Sequence, residues 1–222
     1  MLDQHFYNNI LYPLQDKILA IVESCKTDFY LTGGTALGRH YLNHRFSDDL
    51  DFFTNSNPSF KKSTEHIIKI ISETYECEVA LTANTFVRIF ITSNDTILKV
   101  EFIDDVSYHF GSFEQTSLFY KTDNWRNILS NKISALSRMA AKDVSDILFI
   151  AMNFSFNWKE IINEAKKKDM WVDEIAVSQY FNNFDVKTLD SIKWKTPPDS
   201  QGLQNLSKKI AKSILIGEDN LV

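Results

Sequence analysis

The chain has 222 residues, 44% of them hydrophobic and 24% charged, which suits one large domain or two small ones with a real core and excludes a disordered chain. A formal net charge of −5 excludes a general trap for polyanions, so any nucleic-acid binding must come from a local basic patch. The chain has no apolar run near the ~20 residues that span a membrane, no basic-then-apolar start, and two cysteines, Cys25 and Cys77, without metal-ligand spacing; a cytoplasmic protein with reduced thiols and no signal peptide is expected.

Over residues 11–25, Leu14, Ile18, Leu19, Ile21 and Val22 recur at helical spacing and predict an amphipathic helix beside the first strand. Phe29, Tyr30 and Leu31 make a short apolar strand that ends in Thr32-Gly33-Gly34. Residues 35–42 then carry Ala36, Leu37 and Tyr41 at helical intervals, with Thr35 placed to cap the helix start. Glycines ahead of a helix let the backbone approach a phosphate, whose charge the unpaired N–H groups favour; an ordinary tight turn is the alternative. A second strand holds Asp49 and Asp51 between Leu50 and Phe52. Side chains at i and i+2 share a face, with Cα atoms roughly 6.5–7 Å apart. Carboxylates that close repel unless a cation separates them, and oxygen ligands suit Mg²⁺ or Mn²⁺.

The run Gly33-Gly34-Thr35-Ala36-Leu37, a short helix, His44-Arg45-Phe46-Ser47 and then Asp48-Asp49-Leu50-Asp51-Phe52-Phe53 resembles the signature of the polymerase-β-like nucleotidyltransferase superfamily. Within it, the segment is most similar to the AbiEii/AbiGii toxin family, known from phage abortive infection and toxin–antitoxin pairs.

Farther on, residues 58–74 predict another amphipathic helix through Phe60, His66, Ile67, Ile70 and Ile71. Strands are expected over 78–81, 86–92 and 97–103, the last two joined by Ser93-Asn94-Asp95-Thr96 as an antiparallel hairpin. On the final strand Leu98, Val100 and Phe102 share one face, and Lys99, Glu101 and Ile103 the other. In the superfamily a strand beside the paired aspartates supplies a third acid; Val100-Glu101-Phe102 fits that place, with Asp104 and Asp105 as rivals just beyond. Residues 124–139 form a long helical pattern and a second begins near Asp143. This stretch resembles the family's downstream motif, which carries over onto Lys132, Arg138, Lys142, Asp143 and Asp146. Asp143 also reads as a helix N-cap, with Asp146 a first-turn acid favoured by the helix dipole. From residue 153 the chain is helical and aromatic, with Trp158, Trp171, Tyr180, Phe181 and Phe184 spaced as core or, alternatively, substrate-groove residues, a turn at Thr196-Pro197-Pro198-Asp199 and a last helix over 203–215. Lys61-Lys62, Lys166-Lys167-Lys168 and Lys208-Lys209 with Lys212 are candidate basic patches, or else solvated helix faces.

The expected fold is α+β: a nucleotidyltransferase core with a small mixed sheet flanked by helices over residues 1–120, then a helical region over 121–222 that completes the active-site cleft. The resemblance implies Mg²⁺- or Mn²⁺-dependent transfer of a nucleotide from an NTP to an acceptor hydroxyl of RNA, such as a tRNA end, by a toxin restrained by an antitoxin protein. It assigns metal to Asp49, Asp51 and Glu101, nucleotide binding to Gly33, Gly34, Thr35, Arg45, Ser47 and Lys132, and catalysis to Asp49, Asp51, Glu101, Lys132 and Asp146. The alternatives are an antibiotic-type small-molecule nucleotidyltransferase and a catalytically silent nucleotide-binding module. A P-loop kinase is disfavoured, since no G-x-x-x-x-G-K-[ST] loop occurs.

Overall fold

Alternating apolar and polar residues build a five-stranded mixed sheet in the computed structural model, which describes residues 2–220. The chain divides into two compact units, the first ending at Asn124 and the second starting at Trp125.

The first unit opens with α1 (Leu2–Phe6), a π-helical turn (Tyr7–Leu11) and α2 (Tyr12–Ser24). Pro13 lies in the first turn of α2, where a missing N–H costs least, and the turn before it is the one that widens. The helical character thus starts well before residue 11, where periodicity placed it. Then come β1 (Tyr30–Thr32), α3 (Gly33–Ala36), a second π-helical turn (Leu37–Tyr41), β2 (Leu50–Asn55), α4 (Phe60–Ser72), β3 (Glu76–Thr82), β4 (Phe86–Ser93) and β5 (Thr96–Asp105).

The sheet runs β1-β2-β5-β4-β3, with β2 and β5 parallel and the other neighbours antiparallel. The β4–β5 hairpin turns at Asn94, whose φ of 50° is one that Asn tolerates better than most residues. On one face Leu50, Phe52, Leu98, Val100, Phe102, Val87, Ile89 and Ile91 are buried. Phe60 of α4 meets Phe29 edge-on there, and Phe29 meets Phe102. The opposite face, carrying Asp51, Phe53, Arg88, Lys99 and Glu101, stays half-exposed, the alternation expected of an antiparallel-rich sheet with one wet side. Leu31 exchanges backbone hydrogen bonds with Lys121 and Asp123 (2.9 and 2.8 Å), which closes the outer edge of β1.

The second unit is helical: α5 (Trp125–Ser134), a 3₁₀ turn (Ala135–Arg138), α6 (Ala141–Asn153), α7 (Trp158–Lys168), α8 (Glu174–Asn182), a 3₁₀ turn (Val186–Ser191) and α9 (Ser200–Ile216). Met139, at φ 55°, separates α5 and its 3₁₀ turn from α6. Side chains of Asn157, Asp173 and Asp199 accept backbone N–H bonds and start α7, α8 and α9. Trp158 and Phe181 are wholly buried, whereas Trp171, Tyr180 and Phe184 are half-buried. No helix among the described residues is long and apolar enough to cross a membrane.

Candidate active site

Strand register decides which side chains of the first unit meet. Thr32 stands opposite Asp51, Asp51 opposite Glu101, and Glu101 opposite Arg88, so the four make one row across β1, β2, β5 and β4 on the half-exposed face. Lys99 shares that face two residues before Glu101. Asp49 immediately precedes β2 instead of lying within it, as the sequence reading had it. Its carboxylate still reaches the same region, because Lys99 Nζ lies 2.9 Å from Asp49 Oδ2 and 3.3 Å from Glu101 Oε1.

The loop that delivers Asp49 is held by buried polar groups. Gln15, fully buried on α2, donates through Nε2 to the carbonyls of Ser47 (3.1 Å) and Asp48 (3.2 Å). The Thr35 hydroxyl contacts the Asp49 carbonyl and donates to Ser47 Oγ at 2.9 Å. The Tyr7 hydroxyl is bonded to Asp48, and the Ser47 N–H reaches the Tyr12 hydroxyl at 3.3 Å. Thr35 therefore lies inside α3 and ties it to the aspartate loop, correcting its expected role as the helix cap; Thr32 precedes the helix and makes no side-chain cap bond. Gly33 has φ +68°, and a Cβ there would fall onto Asp51 Oδ2. A Cβ on Gly34 would lie 2.6 Å from Arg45 Nη2 and 3.1 Å from Ser47 Oγ. The glycine turn is thus wedged between a carboxylate and a buried guanidinium, with Arg45 and Ser47 nearly inaccessible.

Opposite charges alternate along the row. Arg88 donates through Nε (2.7 Å) and Nη2 (2.6 Å) to Glu101 Oε1. Burial alone would raise the Glu101 carboxyl, but Lys99 and then Arg88 outweigh it and hold its pKa below the ordinary glutamate range. Burial likewise works against the Lys99 charge, yet Asp49, with Glu101 and Asp51 behind it, lifts its pKa above the ordinary lysine value. Among the described residues no group of three or more His, Cys, Asp or Glu side chains is gathered as a ready-made metal centre. What the face offers is a pair of aspartates with hard oxygen donors, already near one cation, a donor set whose chemistry fits a divalent ion. Glu101 anchors two cations, Arg88 and Lys99.

In the second unit the downstream motif folds into a buried cluster. Lys132 Nζ is 2.8 Å from Asp143 Oδ1 and 2.9 Å from Asp146 Oδ2. Arg138 forks onto Asp143 through Nε (2.6 Å to Oδ2) and Nη2 (2.8 Å to Oδ1). Both aspartates are fully buried and the Lys132 side chain is 8% exposed. Ala140 is the residue that precedes α6, and Asp143 lies in its first turn with its carboxylate turned to Lys132 and Arg138, so the N-cap reading of Asp143 is corrected. Of the basic patches, Lys166 pairs with Glu174 at 2.7 Å, and Lys168 donates to Asn127 at 2.6 Å and to Asn131. Lys61, Lys62, Lys208, Lys209 and Lys212 are exposed.

Sequence reasoning missed Lys99, Arg88 and Gln15 as parts of the site. Two of them carried a signal. Lys99 is one strand period from Glu101, and Gln15 is a polar residue beside the apolar stripe of Leu14, Ile18 and Leu19. Arg88 becomes visible only once register is known, because its partner lies 13 residues away on the next strand.

A model of the family described as nucleotidyl transferase AbiEii toxin, type IV TA system, matches residues 18–204. An uncharacterised Aquifex aeolicus protein, aq_aa25, is 28% identical over 158 residues, covering 66% of this chain and 68% of that protein. Among solved structures, a candidate nucleotidyltransferase from H. pylori superimposes with a TM-score of 0.62 at 18% identity, over 91% of this chain and 93% of that one. JHP933 from Helicobacter pylori gives 0.59 at 17% identity, over 91% and 90%. The two structures share the fold.

Proposed function

Because the chain belongs to the AbiEii nucleotidyl transferase toxin family of type IV toxin–antitoxin systems, we propose that it transfers a nucleotide from an NTP to an acceptor hydroxyl of RNA in a metal-dependent reaction. The observation that carries this reading is the placing of Asp51 directly against the Gly33 turn, with Asp49 beside it and Arg45 and Ser47 on the turn's other side. A triphosphate on the glycine turn would lie against both aspartates.

Asp49 and Asp51 are the residues that would hold Mg²⁺ or Mn²⁺, which when bound supplies Lewis-acid stabilisation of charge on the transferring phosphoryl group. The chain's own groups do the rest. Backbone N–H groups at Gly33, Gly34 and Thr35, which begin α3, hold phosphate oxygens, and the Thr35 hydroxyl fixes the loop that carries Asp49. Arg45 and Ser47, buried against Gly34, support that cradle from behind. The acceptor hydroxyl attacks the α-phosphorus as its proton passes to water, the bond to the bridging oxygen breaks, and pyrophosphate leaves. Glu101 completes the carboxylate row beside the acceptor and orients Arg88 and Lys99. In the second unit Asp143 and Asp146 hold the Lys132 ammonium in place, a cation of the kind that phosphate chemistry uses. An antitoxin protein is the partner that such a toxin calls for.

The direct test is incubation of the purified chain with Mg²⁺, total cellular RNA and each α-labelled NTP, alongside Asp49→Ala and Asp51→Ala. Label is expected on RNA with the wild type alone, both variants losing at least a hundredfold in rate while keeping the native circular dichroism. Equal labelling by a folded Asp51→Ala protein would sink the site assignment. Metal-dependent NTP binding without labelled RNA would shift the acceptor to a small hydroxylated molecule.

A further inference from the structure

Lys99 stands between two carboxylates of the row, and the transfer reaction gives it no step of its own. Its ammonium bridges two carboxylates of the row, at 2.9 Å from Asp49 Oδ2 and 3.3 Å from Glu101 Oε1. Glu101 Oε1 already receives two N–H bonds from Arg88, at 2.6 and 2.7 Å, so its charge is met on the other side. The shorter contact, and the one that Arg88 does not duplicate, is with Asp49. An ammonium within hydrogen-bond distance of a carboxylate oxygen covers a lone-pair direction that a metal ion would take. With 27% of its side chain exposed and four rotatable carbons, Lys99 can swing away from Asp49 while Glu101 keeps hold of it.

We propose that Lys99 is an exchangeable counter-cation of the aspartate pair: it neutralises Asp49 before substrate arrives and must yield that carboxylate when a divalent cation binds. This rests on the reading of Asp49 and Asp51 as metal ligands. The consequence is a site that resists loading by bare metal and takes its metal together with a triphosphate, whose phosphates supply the extra ligands needed to displace the lysine. Lys99 is a positioning residue in this scheme, acting through Asp49.

The test measures Mn²⁺ binding to the full chain without nucleotide, by electron paramagnetic resonance of free Mn²⁺. Loss of one partly exposed ion pair corresponds to roughly a fivefold change in affinity. Lys99→Met is therefore expected to bind Mn²⁺ roughly fivefold more tightly than wild type. Arg88→Met removes the same charge from Glu101 alone and is expected to stay within about twofold. Lys99→Arg keeps the charge in a fork suited to carboxylates, and is expected to bind Mn²⁺ no more tightly than wild type; this variant decides the matter if Lys99→Met does not fold. Unchanged or weaker binding by folded Lys99→Met, equal tightening by Arg88→Met, or tighter binding by Lys99→Arg overturns the proposal. Asp49→Ala with Asp51→Ala separates the two readings: Mn²⁺ binding that survives both substitutions defeats the metal assignment itself, whereas binding lost there but unaltered in Lys99→Met defeats the counter-cation alone.

Discussion

At Gly33 the backbone adopts φ +68°, and the space where a Cβ would stand is filled by the Asp51 carboxylate. Two separate penalties therefore meet in one substitution. A non-glycine residue in the left-handed region costs on the order of 1 kcal/mol, and the added carbon forces either the turn or Asp51 to move. Gly33→Ala is expected to lower stability by roughly 1–3 kcal/mol and transfer activity by at least tenfold, read from denaturant midpoints and from labelling rates on the same preparation. Activity lost with stability unchanged would still fit displacement of Asp51; wild-type activity would show that the approach of Gly33 to Asp51 does not matter for the reaction. The glycine signal was visible in the sequence, since Gly33-Gly34 ahead of a helix and two aspartates at a spacing of two can be read without a structure. The Thr35 role was not. A threonine after two glycines has the look of a cap, and only the return of the aspartate loop onto α3 reveals that its hydroxyl belongs to Ser47 and Asp49.

The start of α6 shows how an element can be correctly predicted for a mistaken local reason. Asp143 and Asp146 opening an apolar run suggested caps, and a helix does begin there, but its carboxylates face Lys132 and Arg138. Sequence spacing cannot distinguish the two, because both place an acid in the first turn; what differs is the direction of the chain before it, set by the left-handed residue Met139. Removing Lys132 takes an ammonium away from two fully buried carboxylates, of which Asp143 keeps its fork to Arg138. Lys132→Ala is therefore expected to cost about 3–5 kcal/mol, so its activity must be compared at matched folded fraction. The same cluster makes a pH prediction. Burial pushes the Asp143 carboxyl up, but Lys132 and Arg138 more than offset it and hold the folded pKa below the ordinary value of 3.8. Between these values the unfolded chain binds more protons, so stability rises with pH there. The contribution is complete above the ordinary value and disappears as pH falls through the lowered folded one. The stability difference between wild type and Asp143→Asn, from urea midpoints, is expected to be flat at neutral pH and to shrink in acid below that value. A difference that stays constant into strong acid would contradict the ion-pair origin.

Charge sets the terms for the whole molecule. At a formal net charge of −5 the chain gains nothing from long-range attraction to RNA, so an RNA acceptor must be held by a local set of cations. The structure narrows that set. Lys166 and Lys168 are engaged with Glu174, Asn127 and Asn131, and Lys132 with two aspartates. Lys208, Lys209 and Lys212 stand exposed on α9, where Lys208 and Lys212 share a face at a spacing of four. Lys61 and Lys62 stand exposed at the start of α4, followed by Glu65. The α9 set has the higher local charge and is the better candidate for a phosphate-tracking surface. Each phosphate contact to single-stranded RNA adds about 0.7 to the slope of log affinity against log salt. Replacing Lys208, Lys209 and Lys212 together by Gln is expected to weaken RNA labelling at physiological salt and to flatten its salt dependence by about one to two units of slope. Metal-dependent binding of an NTP analogue should be unaltered, because no phosphate of the nucleotide is assigned to α9. The corresponding Lys61→Gln and Lys62→Gln pair should change either quantity less. RNA labelling that ignores salt in the wild type would leave no role for any of these lysines in holding the acceptor.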